Sequence, residues 1–251
     1  TQLKRLGLRT MAQVFEEEAH KAAKTQMSYT AYLARLAEEE LVSKVDRSIN
    51  ARTAKARLPI VRTVEGFDFS FQPALPAARI RELAELGFLA RAENVVFVGR
   101  PGTGKTHLAS ALALRGCQAR KRVLCFQALA LLEQLVAADA THTLGKLTQA
   151  LGRLDLLLID ELGYTPMNAR RANLFFQMVN HLYTRVSLVL TTNVPFDSWG
   201  RLFGDDEMIA AAILDRLLHF SHVFLIPGPS YRMRGKLSPN NAEASPGENT
   251  G

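Results

Sequence analysis

Cysteine is nearly absent from the chain. Cys117 and Cys125 are the only two in 251 residues, and no C-x-x-C pair occurs. Neither a disulfide scaffold nor a zinc module is expected, and a reducing, cytoplasmic setting fits best. Long apolar runs are also missing. The longest, around Val123–Leu132, contains Gln127 and stops at Glu133, well short of the roughly 18 residues that a membrane span requires. The opening Thr-Gln-Leu-Lys-Arg leads to Glu16, Glu17 and Glu18 rather than to an apolar leader segment. The six histidines, His20, His107, His142, His181, His219 and His222, form no pair with each other or with cysteine at ligand spacing, and read as structural. No repeat of 20–50 residues is visible. Trp199, the single tryptophan, lies near Phe196 and Phe203 and reads as core or as a subunit contact.

What remains is an ordinary globular composition, 47% hydrophobic and 22% charged, enough for a sizeable core in one or two domains. The net charge of +7 is spread unevenly. Residues 1–65 hold 12 basic against 8 acidic side chains, and residues 66–251 hold 19 against 16. Between Lys44 and Arg62 stand Lys44, Arg47, Arg52, Lys55, Arg57 and Arg62 against Asp46 alone. This is either the footprint of a polyanion site or a solvated helix face. Lys44, Arg47, Arg52, Lys55 and Arg57 are the candidate DNA contacts.

Hydrophobic periodicity divides the chain. Thr10 is placed to cap a helix carrying Met11, Val14, Phe15 and Ala19 and ending about Gln26. A second helix starts near Ser28–Thr30. Its Leu33, Ala37, Leu41, Val45 and Ile49 recur every four residues on one stripe, and Pro59 limits it. Residues 1–58 are thus expected as a small, basic helical domain. The extended aromatic stretch over 59–76, with Phe67, Phe69 and Phe71, reads as a linker. Phe67 or Phe69 either lines a base pocket or anchors that linker.

From Ala77 on, helical and apolar strand patterns alternate. Helices are expected over Ala77–Ala90, Thr106–Arg120, Leu129–Ala138, Leu144–Leu151, Ala172–Arg185 and Met208–His219. Strands are expected over Asn94–Val98, Arg122–Phe126, Leu154–Ile159, Ser187–Thr191 and Val223–Ile226. Continuous apolar strands between helices predict an α/β fold with a parallel sheet sandwiched by helices, over about 77–236. The polar tail from about 237 to 251 is expected to be disordered.

The chemistry concentrates in Gly99-Arg-Pro-Gly-Thr-Gly104-Lys105-Thr106, a full G-x4-G-K-[ST] match placed directly between a strand and a helix. Glycines let backbone N–H groups turn toward phosphate oxygens, and the helix N-terminus adds partial positive charge. Gly99, Pro101, Gly102, Thr103 and Gly104, with His107 in the first helical turn, are candidate nucleotide contacts. Lys105 would reach the β- and γ-phosphates, and the Thr106 hydroxyl would join the Mg²⁺ shell. The strand Leu156–Ile159 ends in Asp160 and Glu161, two acids that are costly at such a position unless they act there. Asp160 would hold Mg²⁺, and Glu161 would polarise an attacking water. Thr192 and Asn193, at the tip of the next strand, either orient that water beside the γ-phosphate or form a turn before Pro195. ATP hydrolysis with Mg²⁺ is the activity these groups fit. A small-molecule kinase is disfavoured, because the acidic pair suits water and no second-substrate lid is evident.

The ordered set Gly99–Thr106, Asp160-Glu161-Leu-Gly-Tyr164, Thr191-Thr-Asn193, Ile213-Leu-Asp-Arg216 and Ser230-Tyr-Arg232-Met-Arg234 resembles the P-loop AAA+ ATPases of the initiator and helicase-loader clade, which includes DnaA and DnaC. Within that clade the chain looks like the IstB family of insertion-sequence transposition helpers. The resemblance implies that Arg216 is an arginine finger serving a neighbouring subunit's ATP. It also implies that Arg232, or alternatively Arg234, senses the subunit's own nucleotide. It further implies self-association into a ring, spiral or filament on duplex DNA, and assistance to the transposase of the same element in target selection. A replicative helicase loader of the DnaC type is the alternative. The two stretches Leu129–Ala138 and Leu144–Leu151 resemble that clade's extra helix. They either carry Lys146 and Arg153 toward phosphates or simply pack on the sheet.

Overall fold

The computed structural model describes residues 2–233. It divides into two compact units, 1–54 and 55–251. The expectations for Arg234 and for the tail over 237–251 lie outside the described residues.

The first unit is helical, with α1 (Gln2–Arg5), α2 (Met11–Lys24) and most of α3 (Tyr29–Ala56). Thr10 stands at the N-cap of α2, but its side chain makes no capping bond. The exposed amides are instead satisfied from α3. One carboxylate oxygen of the buried Glu40 accepts from the Thr10 and Met11 N–H groups at 2.7 and 2.9 Å, while its other oxygen accepts from Arg47 at 2.7 Å. Burial raises the Glu40 carboxyl. The Met11 amide, Arg47 and the Thr10 amide more than offset this and hold it below the ordinary range. Arg47 is therefore engaged inside the unit, which weakens its candidacy as a DNA contact. The every-fourth-residue stripe is also not the buried face. Leu33 and Leu41 are 60% and 64% exposed, whereas Leu36 and Glu40 are buried. Leu33, Ala37 and Leu41 are all exposed, and because a spacing of four drifts around a 3.6-residue helix, the stripe reaches half-buried positions only at Val45 and Ile49. Lys44, Lys55 and Arg57 are exposed and Arg52 is half-buried.

The second unit is built on five parallel strands: β1 (Asn94–Gly99), β2 (Val123–Gln127), β3 (Leu156–Leu162), β4 (Ser187–Thr192) and β5 (Ser221–Ile226). Their order across the sheet is β2-β3-β4-β1-β5. Because side chains alternate along a strand, each strand feeds both faces. Val95 and Phe97 join one core with Cys125, Leu156 and Leu158, packed against α4 (Ala77–Ala84), α5 (Gly87–Ala90) and α6 (Lys105–Gln118). Val96 and Val98 join the other with Leu157, Ile159 and Leu190. That core packs against α7 (Ala128–Ala140), α8 (Leu144–Leu151), α9 (Ala169–Leu182), α10 (Trp199–Leu202) and α11 (Glu207–Leu218). This is the α/β sandwich that the pattern predicts, since strands covered on both sides must be apolar throughout.

Two details depart from the pattern reading, and a third settles an alternative. The single helix expected over Ala77–Ala90 is broken at Leu86, which adopts φ +65°. The segment 59–76, expected as a linker, belongs to the second unit, with Val64 and Leu75 buried in its core. Trp199 is fully buried and its indole N–H donates to the Val194 carbonyl at 3.2 Å, so it is a core residue. Helix α7 buries Leu131 and Leu135 against β2 and β3, and α8 buries Leu151 against α7 and α9, leaving Lys146 and Arg153 exposed. Both cysteines are buried free thiols, and burial pushes Cys125 well above the usual thiol range. Among the described residues no helix is long and apolar enough to cross a membrane.

Candidate functional site

The C-terminal ends of β1, β3 and β4 converge on one cleft of about 460 Å³. This is where an open parallel sheet offers its loops and helix N-termini to a ligand. The loop leaving β1 supplies one wall. Gly102 and Gly104 take φ of +81° and +97°, a region that side chains disfavour, and Gly104 is also covered by Phe67, whose ring would lie 2.5 Å from any added Cβ. Thr103 is buried and donates its hydroxyl to the Arg100 carbonyl at 2.9 Å, closing the turn. Lys105, first residue of α6, donates to the carbonyls of Gly99 and Arg100 at 2.8 and 2.9 Å, so its ammonium is folded over the loop mouth. Burial lowers the Lys105 pKa, Asp160 and Glu161 pull it back up, and Arg232 lowers it further. An anion in the cleft would supply the missing countercharge.

The opposite wall is a hydroxyl–carboxylate network. One oxygen of Asp160, which is 2% exposed, accepts from the Thr106 hydroxyl at 2.9 Å and from the Thr191 hydroxyl at 2.6 Å. Thr191 in turn accepts from the Glu161 backbone N–H at 2.9 Å. The β3–β4 register slips between Ile159 and Leu162, and Glu161 sits in the slip at φ +61°. A bulge of this kind re-aims a side chain, and here Glu161 joins the lining of the cleft. Asn193 faces the same space and its amide oxygen has no partner among the described residues. The turn before Pro195 is made by Thr192, whose hydroxyl accepts from the Val194 N–H at 3.1 Å, which leaves Asn193 available.

Pro101, Gly102, Thr103, Gly104, Lys105, Thr106 and His107 all line the cleft, as does Arg232 from the C-terminal side. Gly99 contributes its carbonyl to Lys105. The His107 ring bonds the Thr63 carbonyl at 2.8 Å and meets Phe67 edge-on at 5.2 Å. Of the two aromatic candidates, Phe67 lines the cleft, while Phe69 packs beside it and under Arg81. Arg216 is elsewhere. On α11, its guanidinium donates to Asn180 at 2.8 Å and to the Ala212 carbonyl at 2.9 Å and stacks over Phe176 at 5.0 Å. It does not line this cleft.

Sequence reasoning missed Thr191, although a fully buried Thr at the tip of an apolar strand is a readable signal of a polar partner. It also missed a strap over 228–232 that crosses the phosphate loop. Tyr231 N–H donates to the Gly102 carbonyl at 2.9 Å, and Tyr231 meets Phe71 edge-on at 5.1 Å. Gln72 donates to the Pro229 carbonyl at 3.0 Å. No local sequence pattern announces these pairings, which join residues more than 120 apart.

A Thr hydroxyl and a buried carboxylate at 2.9 Å form a hard-oxygen pair suited to one divalent ion completed by phosphate oxygens and water. The described residues hold no group of three or more His, Cys, Asp or Glu that could bind a metal without such help.

Comparison with known proteins agrees with this geometry. A relative from Pseudomonas aeruginosa, named for insertion sequence IS21 and for ATP binding, is 41% identical over 234 residues, covering 93% of this chain and 88% of the relative. One from Geobacillus stearothermophilus, named for insertion sequence IS5376 and ATP binding, is 38% identical over 92% of each chain. Among solved structures, AMPPCP-bound DnaA from Aquifex aeolicus superposes with a TM-score of 0.56 at 20% identity. The match takes in 71% of this chain and 54% of that one. The DnaC helicase loader gives 0.52 at 20% identity, over 70% and 98%. These two structures establish the AAA+ fold. A family model for IstB-like ATP binding proteins matches residues 1–239, and the chain belongs to that family.

Proposed function

We propose that this protein is a Mg²⁺-dependent ATPase that self-associates on duplex DNA and assists a transposase in choosing and engaging its target. The observation that carries the catalytic half is the Thr106–Asp160–Thr191 network, set beside a lysine-bearing glycine loop and an acid aimed into the same cleft. The loop amides and Lys105 would bind the phosphates. Thr106 and Asp160 would hold Mg²⁺, which neutralises charge on the β- and γ-phosphates. Glu161 would take the proton of an attacking water that Asn193 orients, and Arg232 would contact the bound nucleotide from the strap. Family membership supports the transposition setting, through relatives named for insertion sequences.

Arg216 supports the assembly half. It is a guanidinium remote from its own cleft, on an outer helix, and fits the role of a group completing the neighbouring subunit's site. Exposed Lys44, Lys55 and Arg57, with Arg52, would meet DNA phosphates, so binding should depend little on sequence. The likeness to the DnaC loader, at 20% identity, speaks to fold alone and gives the helicase-loader alternative no independent support.

Phosphate release measured with and without Mg²⁺ and duplex DNA tests the proposal, together with sedimentation in the presence of a non-hydrolysable ATP analogue. Turnover that needs Mg²⁺ and rises with DNA, and assemblies that form only with nucleotide and DNA together, are expected. With four phosphate contacts per bound unit, affinity should fall about a hundredfold between 50 and 200 mM salt. A chain that stays monomeric with both ligands, or that prefers single strands, would overturn the duplex-assembly reading.

A further inference from the structure

At the N-terminal end of the sheet, away from the cleft, the loops entering β2, β3 and β4 lie side by side. Asp155 N–H donates to the Arg122 carbonyl at 2.9 Å and Ser187 N–H to the Asp155 carbonyl at 3.3 Å, and Val123, Leu156 and Ser187 are register partners. These loops carry Arg120, Lys121, Arg122, Arg153 and Arg185, all exposed, against Asp155 alone. That one acid is already engaged. It pairs with the Arg122 guanidinium at 2.7 Å, which outweighs burial and, with Lys121 assisting, holds the Asp155 carboxyl below the ordinary range. Lys121, Arg153 and Arg185 make no side-chain bond among the described residues. Each loop follows a helix C-terminus, whose carbonyls favour a nearby cation. One cation per helix would answer those carbonyls, yet the first loop alone holds three.

We infer that this row of cations is a further contact surface for the phosphates of duplex DNA, carried by the second unit. Adjacent strands stand about 4.8 Å apart, so the row covers about 10 Å. Over that length duplex DNA carries about six negative charges. Four of the five cations are arginines, whose planar donors fit phosphate oxygens in pairs. A protein partner would call for an apolar centre, and none of the large exposed apolar side chains falls in these loops. Lying at the other end of the sheet from the cleft, the row would hold DNA without displacing nucleotide. The inference rests on the duplex-binding reading above and adds a surface beyond Lys44, Arg52, Lys55 and Arg57.

The test is binding of a fluorescent duplex, with a non-hydrolysable ATP analogue present, titrated at several salt concentrations. Lys121→Ala, Arg153→Ala and Arg185→Ala are combined in one protein, which leaves the Arg122–Asp155 pair intact. Each phosphate contact steepens the fall of log affinity with log salt by about 0.9. Between 50 and 200 mM salt the parent should therefore lose about fortyfold more affinity than the triple variant, over and above the hundredfold set by the four contacts already named. A charge-keeping protein, with Lys121→Arg, Arg153→Lys and Arg185→Lys, should return the parental slope. Nucleotide affinity should be equal in all three, which separates a lost DNA contact from a damaged fold. If the alanine protein fails to hold nucleotide, the three single variants carry the same test, each lowering the slope by about 0.9. Variants that keep the parent's slope overturn the inference. They do so equally if polyglutamate, tried alongside, binds the parent better than the variant, since the face would then belong to an acidic protein. A parent that binds no duplex at all would instead remove the DNA-binding reading itself.

Discussion

Glu161 occupies a backbone conformation that costs a non-glycine residue of order 1–3 kcal/mol. That strain is tolerated because the Glu161 amide is anchored to Thr191 while the β3 ladder slips, and together these turn the carboxylate into the cleft. If it serves as the base for water, Glu161→Gln should lower ATP hydrolysis by 10²–10⁴-fold while nucleotide affinity stays within a few-fold. DNA-bound assemblies of that variant should outlast those of the parent, read by dissociation after dilution. Thr191 tests the network from the other side. Thr191→Val keeps the shape but leaves the buried Asp160 oxygen with one donor fewer and the Glu161 amide with none. Thermal or urea unfolding should show a loss of about 1–3 kcal/mol. Hydrolysis should fall more than nucleotide affinity, because the acid is mis-aimed rather than removed. That Lys105, Thr106, Asp160 and Glu161 come together at one site is legible in the sequence, because the proposed chemistry needs those residue types at fixed offsets from a strand end. Thr191 and Gln72 are not, since what distinguishes them is burial against a partner 31 and 157 residues away.

Strands and helices of the second unit are legible for a different reason. A strand covered on both faces has no polar position to spare, so Val95–Val98, Leu156–Ile159 and Leu188–Leu190 declare themselves as apolar runs. Helix faces of the small first unit are less well declared. Leu33 and Leu41 carry the same apolar signal as Leu36, yet only Leu36 is buried, and the carboxylate of Glu40 does the capping assigned to Thr10. Long-range polar pairs decide such elements, and they can be probed by pH. At the edge of the sheet, Glu93 just before β1 accepts from Arg91 at 2.6 Å and bonds the His222 ring of β5 at 2.9 Å. Arg91 is the main cause, with burial opposing and His222 assisting, of a Glu93 carboxyl held down to about 2. An unfolded glutamate titrates near 4.3. The depressed folded value means that this contribution is complete above about pH 4.3 and is lost as pH falls toward 2. Glu93→Gln should therefore be less stable than the parent at pH 6, by at most about 1 kcal/mol because the pair is partly solvated. The gap in unfolding midpoint should narrow steadily below pH 4.3. A gap that stays constant from pH 6 to 3 would show that Glu93 acts by packing and not by charge.

At the scale of the whole molecule, the lysine and arginine side chains that line the cleft among the described residues are Arg62, Lys105 and Arg232, and Arg216 is not one of them. Lys105 is already committed to the loop, and Arg232 approaches from the strap beside Tyr231. Arg216 has the right chemistry in the wrong place for its own subunit, held by Asn180 and Phe176 on α11. Two subunits, one offering its cleft and the next offering Arg216, would complete a site that neither has alone. Arg216→Ala should then bind ATP with near-parental affinity and hydrolyse it at least 10³-fold more slowly. Lys105→Ala should fail at the earlier step, losing nucleotide affinity. Each variant keeps what the other lacks: the first an intact cleft, the second an intact arginine. Mixing them in equal amounts on duplex DNA should restore a fraction of parental turnover, since some neighbouring pairs join an intact cleft to an intact Arg216. The restored rate should rise with protein concentration, as assembly is concentration-dependent. If mixtures are as inactive as their components at every ratio, Arg216 does not act across an interface, and its bond to Asn180 is its whole role.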